Sequence, residues 1–313
     1  MKLSILDQAP ILEGANANIA LNEAARLAAA GEVFGYSRYW IAEHHDIGGL
    51  SCPAPEVMLS YIGTRTNTIR IGSGAVLLPH YKPYKIAESF NLLAVLFPGR
   101  VDLGIGRAPG GSAEASMALS DNFLEQVWKM PDKYRDLLHF LYRDFPSSSM
   151  FSKIKASPVP DIPPEPWLLG TSKKSALLAA ETGSPYVFGQ FMSDVDTNEV
   201  LRLYREHFTP RNCTDKPKVI AAVSVICASD RQRAAEIRHE MQRVRKLLEP
   251  TGPADEEREA QDSKTITGNP EEVKEKLLSF AADHSLEELM LITMAPTYSE
   301  RMESYRLIAE ELL

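Results

Sequence analysis

The apolar run Tyr39-Trp40-Ile41-Ala42 ends on three titratable residues in succession, Glu43, His44 and His45. Imidazoles and a carboxylate at a strand end are suited to moving protons near neutral pH. Side chains alternate along an extended chain, so Glu43 and His45 point one way and His44 the other. Because neighbouring histidines diverge and no third ligand stands out, a metal site is not expected. General acid or base work by one histidine fits the position. The plainer alternative is a capped strand end with solvated imidazoles.

Three further segments could hold a ligand. Ile71-Gly72-Ser73-Gly74-Ala75-Val76 places glycine inside a strand, which weakens it unless something approaches the backbone closely. A flat ligand on the strand is one such reason and a β-bulge is the other. Gly104-Ile105-Gly106-Arg107-Ala108-Pro109-Gly110-Gly111 is not a dinucleotide fingerprint, because Pro109 stands where the third glycine belongs. It does set a permanent cation, Arg107, at a strand end, suited to bidentate contact with phosphate or to a structural ion pair. Leu169-Gly170-Thr171-Ser172-Lys173-Lys174-Ser175 runs from a strand into a helix. Ser172 is an N-cap and Ser175 follows one turn later, so free N–H groups, two hydroxyls and the helix dipole form a phosphate cradle, if they do more than cap. With Arg107 on the neighbouring strand, a phosphorylated cofactor is the better reading.

These segments need elements to position them. Apolar runs at Leu3–Leu6, Tyr39–Ala42, Ile69–Leu78, Val101–Ile105, Trp167–Leu169, Tyr186–Phe188, Val219–Cys227 and Glu288–Thr293 read as strands. Amphipathic stretches alternate with them: Asn18–Val33, Pro55–Thr66, Ile86–Phe97, Asn122–Phe145, Lys173–Thr182, Asp196–His207, Arg231–Leu248, Pro270–His284 and Glu300–Leu313. Eight strands alternating with helices predict an α/β fold, a (β/α)8 TIM barrel formed by a single domain over residues 1–313. Two segments break the rhythm, so insertions are expected after strands 4 and 7. The first is Ala108–Glu165, and the second is Glu249–Lys264, with six acidic and two basic residues. In such a barrel the working groups sit at the C-terminal ends of strands, where three of the four chemical segments fall.

Composition narrows the setting. Among 313 residues, 34 Lys and Arg stand against 42 Asp and Glu, a net charge of -8. That balance gives no electrostatic reason to bind nucleic acid or an anionic membrane. Cys52, Cys213 and Cys227 have no metal-like spacing and are odd in number, which fits a reducing compartment. The N-terminus lacks a signal core, and Glu23, Arg26 and Glu32 interrupt the Ala-rich run that would otherwise suggest a span. A cytoplasmic enzyme is expected.

Taken together these residues resemble the bacterial-luciferase-like, flavin-dependent monooxygenases. The resemblance rests on Trp40-Ile41-Ala42-Glu43-His44-His45, then Ile71 to Pro79, then Pro98-Gly99-Arg100-Val101-Asp102-Leu103-Gly104-Ile105-Gly106-Arg107-Ala108-Pro109-Gly110, in that order. Trp167 to Ser175 and Gly268 to Val273 match more loosely. The resemblance implies a TIM barrel that takes reduced FMN as a diffusible cosubstrate and oxidises a small-molecule substrate with O2, through a C4a-peroxyflavin. It implies that Glu43 sits beside the flavin and that His44 is catalytic. Gly74 and Ala75 would form a backbone shelf under the isoalloxazine, with a non-proline cis peptide, and Gly189 would lie near the ring. Arg107, Ser172 and Ser175 would hold the FMN phosphate. Luciferases proper carry a reactive cysteine where this chain has Gly106, which argues against light emission. No nicotinamide site is visible, so a separate flavin reductase is the expected source of reduced flavin. A deazaflavin (F420)-dependent dehydrogenase of the same fold and a non-catalytic flavin-binding protein are the alternatives.

Two expectations concern surfaces. Glu249–Lys264 holds no apolar side chain larger than alanine or proline, and a mobile lid over the barrel mouth is expected there. Leu59-Ser60-Tyr61-Ile62 and Phe90 to Phe97 carry more apolar surface than one barrel-facing stripe requires, so a homodimer is expected. Sedimentation at micromolar concentration should show a dimer; a monomer alone refutes it.

Overall fold

The computed structural model describes residues 1–248 and 263–313. The expected lid, 249–264, lies outside the described residues except for its last two. The elements run β1 (Lys2–Asp7), α1 (Ala17–Phe34), β2 (Arg38–Ile41), α2 (Pro55–Gly63), β3 (Arg70–Ser73), β4 (Val76–Leu77), α3 (Pro83–Leu96) and β5 (Val101–Gly106). There follow α4 (Ala113–Leu119), α5 (Phe123–Trp128), α6 (Met130–Tyr142), β6 (Glu165–Gly170), α7 (Lys173–Glu181), β7 (Tyr186–Gly189), α8 (Thr197–Glu206) and β8 (Val219–Cys227). The chain continues through α9 (Arg231–Leu248) and β9 (Ile266–Gly268), then α10 (Pro270–Asp283), β10 (Glu288–Ile292) and α11 (Tyr298–Leu312).

Every strand pairing is parallel, in the order β10-β1-β2-β3-β5-β6-β7-β8, and β10 also pairs with β8. That last pairing closes the eight-stranded barrel. Among the described residues no helix is long and apolar enough to cross a membrane.

Local chemistry starts and stops these elements where the sequence suggests. Asn16 caps α1 through the Ile19 amide, and Ala20, Ala24, Leu27, Ala28 and Gly31 form its buried stripe. Asn269 and Glu272 form a reciprocal capping box on α10, with Pro270 in its first turn. Two sequence expectations need correction, and one short strand is unexpected. The third strand does not run unbroken from Ile69 to Leu78, but divides at Gly74–Ala75 into β3 and β4. The helix expected over Asn122–Phe145 is two, α5 and α6, meeting at Lys129–Met130 just before Pro131, and α4 precedes them. Pro131 has no amide hydrogen to continue an earlier helix, but suits the first turn of a new one. Residues 266–268 form the short β9 against the end of β8.

Between strands and helices lies a continuous apolar layer, with Leu59, Ile62, Phe90 and Leu93 buried in it. These residues therefore face the barrel, while Tyr61, Leu92, Val95 and Leu96 stay exposed on α2 and α3. The barrel interior is filled by Leu6, Trp40, Trp167, Val187, Ile220, Ala222, Met290 and Ile292. The Trp40 and Trp167 rings meet edge to face at 5.8 Å.

The N-terminal end of the barrel is closed by charge. Asp102 is 0% exposed. Its Oδ2 accepts from Arg38 Nη1 at 2.8 Å and from Trp40 Nε1 at 2.9 Å, and its Oδ1 accepts from Arg70 Nε at 2.9 Å. Arg38 also donates to Glu288 at 2.9 Å and lies over the Trp167 ring. Lys218 and Glu165 pair at 2.6 Å alongside. Removing one partner from a buried ion network strands the others. Asp102→Ala should therefore lower unfolding stability by about 3–5 kcal/mol in urea titrations. A loss under about 1 kcal/mol, the scale of a surface pair, would show that the network closes no buried charge.

Candidate active site

Beyond β2 the chain stays extended, and Ala42 N donates to Asp7 O at 2.8 Å. Glu43 and His45 share one side, as alternation requires. Glu43, 3% exposed, has its Oε1 2.8 Å from His45 Nε2 and accepts there from Tyr81 Oη at 2.7 Å. Its Oε2 accepts from the Leu77 amide at 3.1 Å. Burial raises the Glu43 pKa, against the lowering effect of these donors. The carboxylate thus works as a bracket holding β4 against the end of β2.

His44 faces the other way. Its amide donates to Cys52 O at 2.9 Å, while its ring Nδ1 is buried without a hydrogen-bond partner among the described residues. Burial, with a smaller contribution from His45, pushes its pKa down to about 4. The ring is therefore neutral at physiological pH. A neutral imidazole with an open nitrogen can accept a proton or a hydrogen bond from a ligand.

The segment bracketed by Glu43 holds the Gly74–Ala75 peptide, which is cis. Gly74 N donates to Ile41 O at 2.8 Å, and Ser73 Oγ donates to Gly104 O at 2.9 Å. β5 passes so close that a Cβ on Gly104 would stand 2.0 Å from Ser73 O. The strand is interrupted at Gly74–Ala75, and Gly106 lies beside the interruption, its missing Cβ 3.1 Å from that of Ala75.

Arg107 follows β5 directly and is exposed. Among the described residues it has no ion pair, so the structural-pair alternative is not what the fold displays. β5 and β6 are neighbours, which brings Arg107 and the start of α7 to adjacent strand ends. Ser172 is the N-cap of α7, with Ser175 completing a capping box. Ser175 Oγ donates to Ser172 O at 2.7 Å and lies 3.0 Å from Tyr186 Oη. The Ser175 hydroxyl is thus committed inside the protein, and Ser172 Oγ accepts from the Ser175 amide at 3.4 Å and lies 3.4 Å from Ser175 Oγ. Gly189 ends β7 against Thr171 and Met192.

Two residues escaped the sequence reading. Tyr81 stands in a turn 38 positions from Glu43 and carries no motif; only folding brings its hydroxyl to that carboxylate. Gln190, next to Gly189, has a buried Oε1 without a partner among the described residues. Among the same residues no group of His, Cys, Asp and Glu could hold a metal ion. A cleft of about 520 Å³ lies between α9, β9 and α10, lined by none of these site residues.

Eight parallel strands closed into a barrel define the class, a TIM-barrel fold. The luciferase-like monooxygenase family model matches residues 1–305, and the chain belongs to that family. It is 38% identical to the uncharacterized protein YwcH of Bacillus subtilis (strain 168), covering 99% of this chain and 98% of that protein. It is 32% identical to the N-acetyl-S-alkylcysteine monooxygenase of the same strain, covering 100% and 98%. The crystal structure of apo-MsnO8 superposes with a TM-score of 0.87 at 33% identity, covering 99% of this chain and 98% of that one.

The depressed His44 pKa has a defined consequence. Folding favours the neutral ring, so the stability this contributes is present above pH 6.5 and is lost as pH falls through about 4. In the ligand-free protein the His44 ring resonances should titrate with a midpoint near pH 4 by NMR. A midpoint near 6.5 would show that the ring is solvated and its Nδ1 is not buried.

Proposed function

We propose that this chain is a flavin-dependent monooxygenase that takes reduced FMN from a separate reductase and oxidises a small organic substrate. The observation carrying this reading is Arg107, an exposed cation without an ion pair among the described residues, beside the Ser172-capped start of α7. A guanidinium next to open helix N–H groups suits a phosphate monoester. The unpartnered His44 Nδ1 and the Gly74–Ala75 backbone, both at the same mouth, suit a flat ring bearing polar edges.

In this reading Arg107 and Ser172 hold the FMN phosphate, Gly74 and Ala75 support the isoalloxazine, and Gly189 borders it. Glu43 acts through the bracket on Leu77 rather than by touching the ring. Ser175 acts through the capping box. Reduced flavin, when bound, would supply two electrons and two protons and the substrate the other two electrons, so that one oxygen atom of O2 would enter the substrate and the other would leave as water. His44, neutral and facing the mouth, holds or moves a proton near the reacting oxygen. The apolar floor of Trp40, Trp167 and Ile292 limits water below the site. The relative named for N-acetyl-S-alkylcysteine suggests a small thioether acid as one substrate class to try. The single domain over 1–313, the cytoplasmic setting and a homodimer through the exposed Tyr61, Leu92, Val95 and Leu96 belong to the same proposal.

Arg107→Ala should weaken reduced-FMN binding by about 1.5–3 kcal/mol, the scale of a charged hydrogen bond, and riboflavin binding far less. Equal losses for the two ligands would refute the phosphate assignment. His44→Ala should still bind FMN but lose turnover by about a hundredfold or more. Unchanged turnover would favour a binding protein. Oxygen-independent hydride transfer from reduced deazaflavin, with none of the oxygen chemistry from reduced FMN, would replace the monooxygenase reading by a dehydrogenase.

A further inference from the structure

A second pocket, of about 200 Å³, lies between the turn after β4, the α4–α5 junction and α6. His80, Tyr81, Lys82, Asp121, Gln126 and Lys133 are among its walls. It is smaller than the roughly 300–1,000 Å³ of drug-sized sites, so its ligand is small.

His80 is only 8% exposed. Its Nε2 lies 2.9 Å from Pro109 O, and a carbonyl oxygen only accepts, so Nε2 carries the proton. In the neutral ring Nδ1 is then a bare acceptor, and it is buried without a partner among the described residues. Burial holds the His80 pKa below its ordinary value, which keeps the ring neutral. Stacking on Phe123, with centroids 4.9 Å apart, fixes the ring plane. Lys133 Nζ donates to Pro79 O at 2.9 Å, which leaves it two hydrogens. Neither Lys82 nor Lys133 forms an ion pair among the described residues. The lining thus includes two lysines and one acidic residue, Asp121. Burial, then Lys82 and Lys129, bring the Lys133 pKa down to about 8, as expected where positive charge lacks its counterion.

We propose that this pocket is a binding site for a small organic acid that also carries an N–H or O–H donor. Its carboxylate would lie against Lys82 and Lys133, and its donor would supply the hydrogen bond that His80 Nδ1 lacks. The site is not the strand-end cradle of Arg107 and Ser172, and its occupation does not require flavin. It adjoins the mouth through Tyr81, which lines the pocket and whose hydroxyl holds Glu43.

N-acetylglycine and N-acetylsarcosine test this directly, since both are small N-acyl acids and only the first has an amide N–H. Calorimetric titration of the flavin-free full chain should show saturable N-acetylglycine binding, with N-acetylsarcosine weaker by roughly tenfold. Lys133→Met and His80→Phe should each weaken N-acetylglycine by a similar factor, and Arg107→Ala should leave it unchanged. No saturable binding up to on the order of 10 mM, a weakness no specific contact explains, overturns the proposal. So does equal affinity for the two probes, or indifference to Lys133→Met. A loss on Arg107→Ala would place the acid at the barrel mouth and overturn it equally. If His80→Phe fails to fold, the comparison of the two probes on the unaltered protein still decides.

Discussion

One buried carboxylate sets the frame of this barrel. Asp102 lies at the closed end, out of water, and takes donors from Arg38, Arg70 and Trp40. A charge placed there is tolerated only when its partners are held in good geometry. Those partners come from β2 and β3, so the requirement ties β5 to two other strands in register. It also pins the Trp40 indole, which packs against Trp167 and, through it, against Arg38. The apolar floor beneath the mouth therefore rests on a polar foundation.

What stands on that floor follows from close approach. Because Gly72 and Gly104 have no side chains, Trp40 can occupy the interior, and β3 and β5 can approach within backbone contact. The strand then breaks at Gly74–Ala75 and resumes as β4. Glu43 secures the resumed piece through the Leu77 amide, with Tyr81 and His45 satisfying its other oxygen. A fully engaged carboxylate of this kind rigidifies its surroundings more than it reacts. The neighbouring histidine is left with the reverse condition, a buried nitrogen without a partner among the described residues. Adjacent residues on one strand end thus differ in condition: Glu43 is fully engaged and holds β4, and His44 keeps a neutral ring.

The start of α7 shows how capping and binding compete for the same groups. Ser172 and Ser175 satisfy each other's backbone, and Tyr186 takes up what remains of Ser175. Capping alone accounts for these two hydroxyls, so the case for an anion rests on Arg107 and the open N–H groups of the first turn. In a chain of net charge -8, a guanidinium left exposed beside a helix start is an uneven placement of charge. Membership of the luciferase-like monooxygenase family gives that placement a context without deciding the substrate.

Much was legible in the sequence by itself. The eight apolar runs marked the eight barrel strands, because a strand buried on both faces needs a continuous apolar stretch. Alternation separated Glu43 and His45 from His44, since the period of an extended chain is a local property. The segments Trp40 to His45, Ile71 to Pro79 and Pro98 to Gly110 also carried the family resemblance. Other features depended on distant partners and were not legible. The break in the third strand needs β5 pressed against it, and the helix break before Pro131 was hidden by a continuous amphipathic pattern. Tyr81 reaches Glu43, and His80 reaches Pro109, only across the folded mouth. The pKa of His44 was fixed by tertiary structure for the same reason: it measures exclusion of water, which no residue type or spacing states.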